Sequence, residues 1–254
     1  MPTIREIYRY IDEIAPFATA MDFDNPGFLV GDGEAEVTAA LVTLDITAQS
    51  VAQAEKLGAQ LIISHHPVIF NPMKRLMSGS VPYLLARAGV GAICAHTNLD
   101  MAKGGVNDCL ADALTLSGRE AVTYAGETPC CIIGALPQPM EPAAFAGFVK
   151  KRLSCFGVRY LPGNRLVKTV ALCSGAGGEF IFDAMEKGAD AFVTGEVKHH
   201  EILAAKEAGL TLVDGGHFKT ENIAMEPLRQ RLTGAFPQIE FRLEENADDG
   251  IRYL

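Results

Sequence analysis

The chain has 254 residues, 48% hydrophobic and 21% charged, with a formal net charge of -9. That length fits one large domain or two small ones, and the composition supports a packed core and excludes a disordered chain. An acidic chain without a Lys/Arg run is unsuited to tight nucleic-acid binding, which needs clustered cations, and no stretch reaches membrane-spanning length without a charge or turn residue.

Thr3 to Glu6 reads as a capping box, and Ile4, Ile7, Ile11 and Ile14 then fall on one face of a helix that Pro16 closes. The stretch MPTIREIYRYIDEIAP lacks the continuous apolar core of a secretory signal, so a cytoplasmic setting is expected. Asp24-Asn25-Pro26-Gly27 is a turn cluster whose acids read as turn formers. Val37 to Leu44 predicts a strand ending at Asp45, followed by a helix from Thr47 that stops at Gly58. Leu61 to Ser64 predicts a buried parallel strand, broken at His65-His66-Pro67 because proline cannot continue a ladder. A helix over Val81 to Ala88 and a strand over Gly91 to Ala95 lead into His96-Thr97-Asn98-Leu99-Asp100.

The later chain repeats this plan. A helix over Val106 to Leu114 precedes strands over Cys131 to Leu136 and Leu166 to Cys173, with a helix over Pro142 to Ser154 between them. Ser174 to Gly178 reads as a tight strand-to-helix turn, since no Lys follows to make it a phosphate loop. Strands over Ala191 to Thr194 and Leu210 to Val213 flank a helix that carries His199 and His200 and ends at Gly209. A last helix and a strand over Ile239 to Leu243 finish the chain. Leu41 to His66 overlays Ala171 to Glu196 without a gap, which predicts two similar α/β units. Their expected extents are 1–125 plus 236–254 and 126–235.

Polar residues collect where predicted strands end: Asp45, His65, His66, His96, Asp100, Ser174, Glu196 and His217. Ligands of open α/β sheets bind at that edge. Imidazoles and carboxylates together read as a metal site, with nitrogen and oxygen donors suited to zinc, iron, manganese or cobalt. His217 and Glu221, four apart at a helix start, share one helical face. The six cysteines form no C-x-x-C pair and read as small core residues in a reducing compartment.

These residues sit in motifs that resemble, almost end to end, the NIF-three-like proteins, a family labelled GTP cyclohydrolase 1 type 2 homologues. The motifs are DNPGFLVG (24–31), LDIT (44–47), SHHP (64–67), AHTNLD (95–100), GGVND (104–108), TGE (194–196) followed by the His199-His200 pair, and GHFKTE (216–221). The family often has DNVG and LDAT at the first two places, and neither change touches a ligand.

The resemblance implies two similar α/β units packed face to face with a two-metal centre between them. It implies His65, His66, Asp100, His217 and Glu221 as ligands of two divalent transition-metal ions, zinc, iron or manganese. It further implies a homohexamer and a hydrolase acting on a small molecule through a metal-bridging water, with GTP ring opening as the labelled chemistry. His96 is the candidate catalytic proton carrier, and Asp45 and Glu196 are candidate orienters of ligand imidazoles. Two further readings stand beside the hydrolase: a metal chaperone or storage protein without turnover, and a metal-stabilised scaffold or interaction protein. Cys130→Ser and Cys131→Ser are expected to leave metal content unchanged, which elemental analysis of the folded variants checks; a loss in either would misplace the site.

Overall fold

A computed structural model describes residues 1–126 and 128–252. By internal contacts the chain forms two units, Met1–Lys103 with Met225–Ala247, and Gly104–Ala224 with Asp248–Leu254. No helix among the described residues is long and apolar enough to cross a membrane.

The first unit opens with α1 (Ile4–Ile14), whose cap is the capping box read from the sequence: Thr3 Oγ1 accepts from Glu6 N while Thr3 N donates to Glu6. Ile4, Ile7 and Ile11 are its buried stripe. There follow β1 (Gly27–Val30), β2 (Ala39–Thr43), α2 (Ala48–Leu57), β3 (Leu61–Ser64), α3 (Val81–Ala88), β4 (Gly91–Cys94) and α4 (Thr97–Met101). The second unit supplies α5 (Val106–Ala113), β5 (Ser117–Ala125), β6 (Thr128–Met140), α6 (Pro142–Arg152), β7 (Arg159–Leu161), β8 (Val167–Leu172), α7 (Ile181–Glu186), β9 (Ala191–Thr194), α8 (His199–Ala208), β10 (Thr211–Asp214) and α9 (His217–Glu221). The chain then returns to the first unit with α10 (Met225–Ala235) and β11 (Glu240–Leu243).

Each unit holds one sheet. The first is ordered β1-β4-β3-β2-β11 and the second β5-β6-β8-β9-β10-β7. In the first, β2, β3 and β4 run parallel, and β1 adds antiparallel beside β4. In the second, β8, β9 and β10 run parallel, and β7 adds antiparallel beside β10. The register repeats as well: Ala40 pairs Leu61 as Val170 pairs Ala191, and Leu61 pairs Gly91 as Ala191 pairs Thr211. The internal repeat in the sequence is therefore a repeated β-β-α-β-α-β pattern. The units differ beyond it, where β2 meets the parallel β11 but β8 meets the antiparallel β6.

Both sheets are buried on two faces, which is why their central strands read as unbroken apolar runs. Val170, Leu172, Ala191 and Val193 pack in one cluster with Phe145 and Val149 of α6. Their neighbours Ala171 and Phe192 pack in another with Ile181 of α7 and Ala205 of α8. In the first sheet Leu41, Ile62 and Ala92 face α2 and α3, while Ala40, Val42, Ile63 and Ile93 are buried on the other side.

Some elements departed from the sequence reading for local reasons. β6 extends from Thr128 to Met140 despite Pro137 and Pro139, because its register to β8 breaks between Ala135 and Met140. β5 carries Arg119 and Glu120 and slips register to β6 three times, so no clean alternation announces it. The helix expected after Ser174–Gly178 begins as a 3-10 turn over Gly177–Phe180.

Two glycines make a stability test. Gly58 caps α2 in the left-handed region, φ 67°, with open space where a Cβ would stand. Gly31 has φ 114°, and a Cβ there would lie 2.8 Å from Gly91 Cα, a backbone atom that cannot yield without moving β4. Gly58→Ala is expected to cost about 1 kcal/mol. Gly31→Ala combines that strain with a main-chain clash and is expected to cost several-fold more, read from urea unfolding midpoints; equal midpoints would contradict this packing.

Candidate metal-binding residues

Three imidazoles gather at the carboxyl edge of the first sheet. The β2–β3 ladder carries one step past its last paired residues, because His65 N donates to Thr43 O at 3.2 Å and His66 N to Leu44 O at 2.9 Å. Pro67 then ends it. His65 is fully buried and His66 half-buried. His96 lies two residues past the end of β4. The ring centroids of His65, His66 and His96 lie 5.0, 5.2 and 5.4 Å apart pairwise, and a ring nitrogen from each lies within 4.8 Å of the others. Asp100 on α4 brings its Oδ1 to 3.5 Å from His65 Nε2.

Each ring is held from behind. His66 Nδ1 donates to Asp45 Oδ1 at 2.7 Å, His65 Nδ1 to the Ala95 carbonyl at 2.8 Å, and His96 Nδ1 to Asp24 Oδ1 at 2.7 Å. A carboxylate and a carbonyl accept only, so Nδ1 carries the proton and Nε2 is the lone-pair nitrogen. Asp24 does more. Its Oδ2 accepts from Thr97 N at 3.0 Å and Thr97 Oγ1 at 2.6 Å, fixing the start of α4 and with it Asp100. Burial pushes the Asp24 carboxyl up, but the hydrogen bonds from His96 and Thr97 outweigh it and hold the group at about 2.

The second unit supplies a smaller group. His217 opens α9 and Glu221 ends it, and His217 Nε2 stands 3.0 Å from Glu221 Oε2. His217 Nδ1 donates to Glu196 Oε1 at 2.8 Å, just past the end of β9. Glycines clear the space. A Cβ on Gly175 would lie 2.0 Å from Glu221 Oε1 and 3.3 Å from His217 Nε2, and one on Gly195 would lie 2.7 Å from His217 Cα. The turn after β8 closes on itself: Gly175 O accepts from Gly195 N and Thr194 Oγ1. Its backbone is spent on packing, in keeping with a tight turn rather than a phosphate cradle.

These residues fit a divalent cation. Two ligands about 2.1 Å from one tetrahedral ion stand roughly 3.4 Å apart. The His65–Asp100 and His217–Glu221 separations of 3.5 and 3.0 Å bracket that value. The donors are imidazole and carboxylate without thiol, a set suited to zinc, iron or manganese. The cysteines stay out of it: burial pushes the thiols of Cys94, Cys131 and Cys155 up, away from the thiolate form that metals take. His199 and His200 open α8 exposed to solvent and join no donor group among the described residues.

Asp24 is the residue that sequence reasoning assigned to a turn and that the structure ties to the imidazoles. Its one trace in the sequence is its place at the head of DNPGFLVG. Its contacts cross from the residues before β1 to those after β4, and no local pattern encodes that.

Two outcomes follow from this geometry. Gly175→Ala changes no donor, yet its methyl group must displace Glu221 from a position with φ 57°, so it is expected to cost stability at least as Gly58→Ala does and to lower any metal bound through His217 and Glu221, where Gly58→Ala leaves metal unchanged; unchanged metal content in elemental analysis of the folded variant would contradict the cradle. Asp24 titrates below its usual 3.8, so it stabilises the fold above that value and the contribution is lost as pH falls toward 2. Asp24→Asn is expected to cost about 2 kcal/mol at pH 7, at about 1.4 kcal/mol per pH unit of displacement. Urea unfolding at pH 7 and pH 2.5 checks it: the gap between wild type and variant narrows at the lower pH.

Comparison with known proteins identifies the family. A model of the family described as Duf34/NIF3 (NGG1p interacting factor 3) matches residues 2–248. A Clostridium perfringens protein named GTP cyclohydrolase 1 type 2 homolog is 30% identical over 263 residues, covering 99% of both chains. A Lactococcus lactis protein of the same name is 33% identical over 217 residues, covering 82% of each. A crystal structure of a Staphylococcus aureus hypothetical protein superposes with a TM-score of 0.92 at 28% identity, covering 99% of both chains.

Proposed function

Since the chain belongs to the Duf34/NIF3 family, we propose that His65, His66 and Asp100 of the first unit and His217 and Glu221 of the second together hold two divalent transition-metal ions, zinc, iron or manganese, and that they serve hydrolysis of a small molecule. The observation that carries this reading is the state of the four imidazoles. His65, His66, His96 and His217 each bond Nδ1 to a fixed oxygen, which sets the ring plane, and with it the position of Nε2, before any ligand arrives.

When bound, a pair of such ions supplies Lewis acidity and acidifies water near neutral pH. The chain's own residues do the rest. Asp45 and Glu196 hold His66 and His217 in orientation. The Ala95 carbonyl does the same for His65, whose burial keeps bulk water off that ring. Asp100 and Glu221 supply the anionic oxygens that balance cationic charge. His96 is the proton carrier: Asp24 fixes its Nδ1–H and stabilises the imidazolium, so Nε2 can take a proton and return it. The relatives' name suggests a cyclohydrolase; to this chain we extend the reaction class, metal-dependent hydrolysis, and leave the ring undefined.

The partial exposure of His66 and His217 favours a second reading, in which metal exchanges with a partner for storage or delivery. Turnover separates the two. We further propose a cytoplasmic protein closed into a homohexamer, the usual logic of closed symmetry in soluble assemblies.

Loaded protein is expected to carry about two metal ions per chain. His65→Ala and Asp100→Ala should each lower that number and abolish turnover in a hydrolytic substrate screen. His96→Ala should keep the metal and lower kcat about a hundredfold or more, the scale of one lost proton carrier. Full metal content in His65→Ala and Asp100→Ala would reject the ligand set; metal without any turnover would favour delivery. Light scattering coupled to size exclusion should give a mass six times that of the chain, and a mass near 27.2 kDa would reject the ring.

A further inference from the structure

The chain between β3 and α3, residues 65–80, holds no regular element, although it begins with two of the imidazoles. Connections this long inside a compact domain are uncommon and usually functional. This one exposes apolar side chains in succession: Phe70, Met73, Leu76 and Met77. A fifth, Phe23, comes from the residue before Asp24 and is 64% exposed. Scattered surface hydrophobics need no explanation, but exposed rings that stand together beside polar groups, as Phe23 and Phe70 do, form a patch that does.

The aromatic members of the patch are anchored to the imidazole group. Phe70 lies 6.3 Å from the His96 ring, nearly edge-on at 79°. Phe23 lies 6.4 Å from Phe70, tilted by 46°. Both distances fall within the range of interacting rings. The base of the loop is pinned as well, since Asn25 Nδ2 donates to the Ile69 carbonyl at 2.6 Å. Asp24 and Asn25, consecutive residues, therefore fix an imidazole on one side and the loop that carries Phe70 on the other. The result is a run of rings from Phe23 through Phe70 to His96, open at the phenylalanine end and joined at the other to the donor nitrogens.

We propose that Phe23 and Phe70 form a seat for a planar aromatic ring of the substrate, which presents the substrate's polar group to His65, His66 and His96. This rests on the reading of those imidazoles as part of a hydrolytic site. The choice of occupant follows from continuity: Phe70 stands edge-on to the imidazole that faces the reaction, Phe23 stands against Phe70, and the backbone beside Phe70 is held by the residue next to the one that holds that imidazole. An aliphatic substrate would gain burial there but not ring-on-ring contact. Lys74 and Arg75, on the same loop and in no ion pair among the described residues, add positive charge that suits an anionic ring-bearing molecule.

The test uses the full chain, zinc-loaded, titrated calorimetrically with phenylphosphonate and with methylphosphonate. These probes share the anionic group and differ in the ring. Phenylphosphonate is expected to bind about tenfold tighter, the scale of one ring contact together with its burial. Phe23→Ala combined with Phe70→Ala should bring the ratio near one and leave methylphosphonate affinity and metal content as they were. Phe70→Tyr should keep the preference. Both phenylalanines are substantially exposed, so the variants are expected to fold. No preference in the wild type, no binding of either probe, or a preference that survives the double alanine variant would overturn the seat. So would a double variant that changes oligomeric mass while keeping the preference, which would assign the face to a neighbouring copy. Elemental analysis of the same samples keeps the two readings apart. Protein without metal that still prefers the phenyl probe loses the metal reading and keeps the seat; metal-loaded protein without the preference does the reverse.

Discussion

The structure depends on one repeated interaction: an imidazole whose Nδ1 is tied to an oxygen that can only accept. It occurs at His65, His66, His96 and His217, with a main-chain carbonyl in one case and a carboxylate in three. Each bond fixes a ring plane. A free histidine side chain at a strand end would sample several rotamers, and every one frozen on ligand binding would weaken that binding. Here the ordering is complete when the chain folds. The oxygens themselves sit on strand ends and adjoining turns, so the sheets determine where the nitrogens point.

The two units reach this result differently, although they share a topology. In the overlay that aligns their sheets, His66 falls on Glu196: a donor in the first unit corresponds to a holder of a donor in the second. Asp45 and His65 fall on Gly175 and Gly195. The second unit has removed side chains at two strand ends, and the Cβ atoms it lacks would collide with Glu221 and with the His217 backbone. Its own imidazole and carboxylate come instead from α9, one helical turn apart. The first unit spends strand-end side chains where the second spends strand-end space.

Much of this was legible in the sequence. α1 begins at the cap that Thr3 announces, α2 begins at Thr47 and ends at Gly58, and α3 ends at Gly89. The parallel strands show because both of their faces are buried, and the repeat shows because its punctuation glycines recur. What stayed hidden depended on distant chain. β1 and β7 are short edge strands whose pairing comes from β4 and β10, and β5 is a bulged strand recognisable only beside β6. Asp24 was hidden most fully. Beside a proline and a glycine, a turn former and a buried acceptor look alike, and only the return of the chain at His96 and Thr97 separates them.

The central claim is that these imidazoles are held through a proton on Nδ1, and that His65, His66 and His217 present Nε2 to a metal. Long-range proton–nitrogen correlation spectra of the histidine-15N-labelled full chain, recorded metal-free at pH 8 and again with zinc, test it most directly. The expected result is the Nδ1–H tautomer for His65, His66, His96 and His217, with zinc moving the Nε2 signals of His65, His66 and His217. Nε2–H tautomers at these residues, or Nε2 signals indifferent to zinc, would contradict it.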